Sequence, residues 1–124
     1  MKATTSLKKK YKIIKIPIYE KWMEINFDPH GRCNWLGDEF IDSAGAFVVV
    51  DTSEHVLPVD LVMSFHFDQY CASHLVHECV HATNFIFDTT GMQLDVHNDE
   101  AQAYLAGWFG EQVDDFYRQL KERL

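Results

Sequence analysis

Residues 74–88, HLVHECVHATNFIFD, limit what this chain can fold into more than any other stretch, because they set a row of titratable side chains into an apolar helix. At about 100° per residue, His74, His77, Glu78, His81, Asn84 and Asp88 fall within one sector of roughly 120°. Leu75, Val76, Cys79, Val80, Ala82, Ile86 and Phe87 fill the rest of the circumference. A helix that is apolar over most of its surface is expected to be buried, so its polar stripe requires partners or a water-filled cleft. A metal ion is one such partner.

His77, Glu78 and His81 form an HExxH pattern. Histidines four residues apart stand one turn apart on the same helix face, and each can direct a ring nitrogen at a single Zn²⁺. Glu78, beside the first histidine, is then placed to take a proton from an attacking water. Catalytic zinc sites use three protein ligands and keep a fourth position open. The extension that adds a glycine and a third histidine to this motif is absent, since those places hold Asn84 and Phe87. NDEAQAYLAGWF, residues 98–109, instead opens a second helix and offers Glu100, with His97 and Asp99 as rival ligands. Tyr104, His74 and His97 are the available donors for stabilising an oxyanion.

With HExxH on one helix and Glu100 to Ala103 (EAQA) opening the next, the chain resembles the gluzincin branch of the zincin metallopeptidases. The wider pattern HExxH…NDExxAYLxGW is similar to small metallopeptidase-like proteins encoded by bacteriophages. The resemblance implies a minimal zincin-like domain and a zinc-dependent hydrolase, first of all a metallopeptidase acting on a peptide or protein substrate. It implies His77, His81 and Glu100 as metal ligands and Glu78 as general base, while Tyr104 and His74 stand as candidate catalytic residues on the residue reading alone. The chain departs from the family at Tyr104, where many gluzincins carry an aspartate that supports a ligand histidine; Asp88, Asp95 and Asp99 are the other carboxylates open to that role. Two alternatives stand beside this one. A non-catalytic protein could keep the scaffold and dock to a host or virion protein, and a metal-dependent hydrolase could act on a non-peptide amide. Retention of Glu78 favours catalysis, because a structural zinc site requires the histidines and not the base.

The rest of the chain bounds the setting. Its 124 residues suffice for one hydrophobic core and a single domain, with residues 1–10 expected to be flexible. Between Arg32 and Arg118 there is no lysine or arginine, and the formal net charge is −8. Such a body repels phosphate backbones, which excludes a nucleic-acid partner. No apolar run is long enough to span a bilayer and no signal segment opens the chain, so a soluble, cytoplasmic protein without a membrane partner is expected. Cys33, Cys71 and Cys79 lack a CxxC spacing and read as small buried hydrophobes.

The element reading is α+β, a small, mainly antiparallel sheet followed by the HExxH helix and a C-terminal helix. YKIIKIPIY (11–19) and KWMEINFD (21–28) read as a hairpin, with Pro17 favouring an edge. A turn near Asp28 to Arg32 and an irregular stretch from Cys33 to Ser43 follow. GAFVVVD (45–51) reads as a strand, either in the core or at an edge where an extended peptide could add. A loop spans Thr52 to Pro58, and VDLVMSFHF (59–67) is ambiguous between strand and helix. Asp68 is expected to cap a helix running to about Asp88, and Asn98 a second one whose apolar stripe is Leu105, Trp108, Phe109, Val113, Phe116 and Leu120.

Overall fold

A computed structural model describes residues 2–51 and 57–123. The expected hairpin forms from β2 (Tyr11–Ile16) and β3 (Lys21–Asn26), antiparallel with Ile13 opposite Glu24. Pro17 falls just past the end of β2, so its missing N–H costs the ladder nothing. A short strand, β1 (Thr4–Ser6), pairs antiparallel with β2, so part of the segment expected to be flexible is tied to the sheet. VDLVMSFHF resolves to a strand, β5 (Leu61–Phe65), which lies parallel to β3 and antiparallel to β4 (Ala46–Val50). The sheet order is β1-β2-β3-β5-β4, which leaves β4 at one edge.

The period-2 pattern of the strands sends side chains to two cores. Met23 and Ile25 of β3 and Leu61, Met63 and Phe65 of β5 point to one face, where they meet Ile86, Phe109, Val113 and Phe116. Each such side chain contributes about 1.5–3 kcal/mol when fully buried. The helices on that face are α3 (Ala72–Thr90) and α4 (Glu100–Arg123), packed against each other. Val62, Phe47, Cys33, Ile41 and Val59 form a smaller core on the opposite face. That second layer comes from the stretch expected to be a turn and then irregular chain. It holds α1 (Pro29–Arg32), capped by the Asp28 carboxylate, a 3₁₀ turn at Asn34–Leu36, and α2 (Asp38–Ser43). Arg32 donates through Nε and Nη2 to the buried Glu24 carboxylate and stacks on Tyr11, which fastens α1 to the sheet.

α3 begins at Ala72, with Asp68 in a preceding 3₁₀ turn, and ends at Gly91, whose φ of 73° provides the left-handed cap. α4 starts at Glu100, two residues after the expected cap Asn98. Its stripe is buried at Leu105, Phe109, Val113, Phe116 and Leu120, with Trp108 half-buried. No helix among the described residues is long and apolar enough to cross a membrane. Residues 52–56, most of the expected loop before Pro58, lie outside the described residues.

Candidate metal centre

α3 is less enclosed than its composition predicts. Val76 and Val80 are 61% and 45% exposed, and the helix buries only the side bearing Glu78, Cys79, Ala82, Thr83, Ile86 and Phe87. The titratable stripe sits at the boundary between that buried side and solvent. It forms one wall of a cleft of about 650 Å³ contributed to by His77, Glu78, His81, Asn84 and Asp88. The other wall is β4, through Ala46, Val48 and Val50, and α2, through Phe40 and the capping residue Ala44 that follows it. The cleft therefore runs along the outer edge of the sheet.

Within it, Nε2 of His77 and Nε2 of His81 are 3.1 Å apart. Two nitrogens bound tetrahedrally at about 2.0–2.1 Å from one zinc ion lie roughly 3.3 Å apart, so the pair already has nearly the spacing of two ligands. The Glu78 carboxylate lies 3.9 Å from His77 Nε2 and is only 7% exposed, against 67% for the His77 side chain. Burial raises the Glu78 pKa above its ordinary value, and the charge of nearby His77, His81 and His74, when protonated, pulls it back down. The arrangement suits a metal-ligand pair facing water with a base at its drier side.

The other expected site residues are not brought to this pair. Glu100 is the first residue of α4 and is exposed. A Cβ on Gly110 would come within 4.0 Å of Cys79 Sγ, which sets residue 110 level with residue 79 across the helix pair. Glu100 is ten residues earlier in α4, roughly 15 Å from that level by helical rise. His97 and Asp99 are exposed in the segment leading to it, with the His97 N–H donating to Asp95 Oδ1. Tyr104 lines a different groove, with Pro17, Ile18, Tyr19 and Trp108. Among the described residues, no three His, Cys, Asp or Glu side chains converge as metal ligands. The histidine pair fits zinc; a complete three-ligand set is not assembled.

His74 also lies outside the cleft lining. Its ring rests on Gly45, where a Cβ would come 2.5 Å from His74 Cε1, so these two residues set how closely α3 approaches the start of β4. His74 Nδ1 and Asn84 Oδ1 are buried without a hydrogen-bond partner among the described residues. Cys79, one residue past the base, is no rival ligand in the free protein: burial and the Glu78 charge push its thiol up to about 12. The α2 wall escaped the sequence reading, although Gly37 at φ 83° followed by Asp38 and Glu39 is a helix-start signal.

Comparison of the chain with protein-family models, with curated proteins and with solved structures gives no match.

Proposed function

We propose that the chain is a zinc-dependent hydrolase that cleaves a peptide amide bond. The observation that carries this reading is the 3.1 Å approach of the His77 and His81 Nε2 atoms beside the buried Glu78 carboxylate, at the mouth of a cleft bounded by a sheet edge. His77 and His81 would hold the metal. Glu100 is the third ligand we propose, supported by its order in the sequence and by the resemblance rather than by its position. Bound Zn²⁺ supplies Lewis acidity, which activates water and polarises the carbonyl.

The remaining work falls to the chain. Glu78 takes the proton of the attacking water and delivers it to the departing amine, and its raised pKa makes it a better proton acceptor than an exposed carboxylate. β4 is the edge strand, and an extended peptide laid along it gains main-chain hydrogen bonds with little demand on side-chain identity. Ala44 and Ala46 keep that wall low, while Phe40, Val48 and Val50 make it apolar.

Glu78→Gln separates binding from chemistry. The variant should retain zinc and lose at least about 100-fold of wild-type turnover on fluorescently labelled casein, since the amide cannot accept the proton. Turnover near the wild-type rate would remove Glu78 from its role. A zinc-loaded wild type that cleaves neither casein nor a mixed peptide library would favour the docking protein over the peptidase.

A further inference from the structure

Beyond the histidine pair the cleft continues in one direction. Ala46, which opens β4, pairs with Phe65, which ends β5, and α3 follows β5, so β4 and α3 set out from the same end of the sheet and pack side by side. The ring of His74 against Gly45 fixes their level at that end. At about 3.3 Å per strand residue and about 1.5 Å per helix residue, Val50 then stands level with roughly residue 85. Neither Gly45 nor His74 lines the cleft, whereas Val50, Phe85 and Asp88 do. The open length therefore lies on the Val50 side of the histidines, and Asp88 is the last residue of α3 to line it.

The fold makes no use of the charge on Asp88. The side chain is exposed and has no ion pair or hydrogen bond among the described residues. It stands in the last turn of α3, whose carbonyl end carries roughly half a negative charge and which has no basic residue in that turn. Two negative charges are thus set together at a cost to the helix. No lysine or arginine occurs between Arg32 and Arg118 to offset them. Between His81 and Asp88, Asn84 adds an acceptor, Oδ1, that has no hydrogen-bond partner. A cationic group is the ligand chemistry that suits such a wall. Across from it Val48 and Val50 are apolar, which accommodates the aliphatic stem of a lysine or arginine while its head group meets the carboxylate.

We infer, on the hydrolase reading above, that Asp88 sets the specificity of this site for a substrate with a lysine or arginine side chain about three residues from the bond that is cut. His81 and Asp88 are seven residues apart, about 10 Å by helical rise, which an extended peptide lying along β4 spans in roughly three residues. Asp88 meets the substrate side chain and takes no part in the chemistry.

Mass spectrometry of the cut sites that the zinc-loaded wild type makes in a mixed peptide library tests this. Lysine and arginine should be enriched at least about threefold over glutamine near the third residue on one side of the cut. The enrichment should shrink between about 50 mM and about 500 mM salt, as a pairing of exposed charges does. Asp88→Asn should cut the same library with the preference lost, and Asp88→Lys should turn it towards aspartate and glutamate. The thermal midpoint of Asp88→Asn should equal or exceed that of wild type, because a charge is removed from the wrong end of a helix. Cutting with no preference for a basic residue, a preference that Asp88→Asn retains, or a midpoint lowered by that change would each overturn the role of Asp88 and leave the hydrolase standing. A zinc-loaded protein that cuts no peptide would overturn the hydrolase, and the role of Asp88 with it.

Discussion

His77 and Glu78 are adjacent in the chain and stand in opposite surroundings, one largely in water and one almost out of it. The helical step of about 100° does this, turning one side chain towards the cleft mouth and the next towards the sheet. The same economy applies at Gly45, which has no side chain because His74 occupies the space. Gly45→Ala should destabilise the protein by about 1–3 kcal/mol through this overlap. Combining it with His74→Ala should recover most of that loss, a coupling measurable in a double-mutant cycle by urea denaturation. Additive effects would mean that the ring does not set the spacing of α3 and β4. None of this was legible in the sequence, where His74 reads as one more member of the polar stripe and Gly45 as the start of a strand.

At the scale of elements, α2 forms one wall of the cleft and is held from outside by His30. The ring places Nδ1 3.0 Å from Asp38 Oδ1 and Nε2 2.8 Å from Asp42 Oδ1. A ring facing carboxylates with both nitrogens must carry both protons, and those bonds raise the His30 pKa above 6.5. His66 lies near, its ring centroid 6.1 Å from that of His30 and its Nε2 2.7 Å from the Ile41 carbonyl oxygen. Because the folded-state pKa is the higher one, the stabilisation by His30 is fully present below about pH 6.5 and is lost as the pH rises through the folded value. The thermal midpoint of wild type should therefore fall more steeply as the pH rises above about 6.5 than that of His30→Gln. Equal slopes would show that the clamp does not hold α2. Elements of four and six residues, such as α1 and α2, carry too little periodicity to be read in advance. The 19 residues of α3 and the β-branched run of β4 were legible because each repeats its period several times or is bounded by glycine.

For the whole molecule, the sheet order decides what the site can be. β4 reads from sequence as either core or edge strand, and only the insertion of β5 between β3 and β4 puts it at the edge beside the histidines. The HExxH pair was visible as a local pattern, since four-residue spacing on a helix fixes the geometry. The place of Glu100 was not, because it depends on how far α3 runs past His81 and where α4 starts. α3 continues to Thr90, which carries the connection to α4 well beyond the pair. The central claim is that His77 and His81 bind a metal, and the most direct test is elemental mass spectrometry on zinc-loaded, desalted wild type beside His81→Ala. About one zinc per wild-type chain and none in the variant is expected. A wild type that retains no zinc after loading would contradict the claim, whatever the hydrolytic assays show.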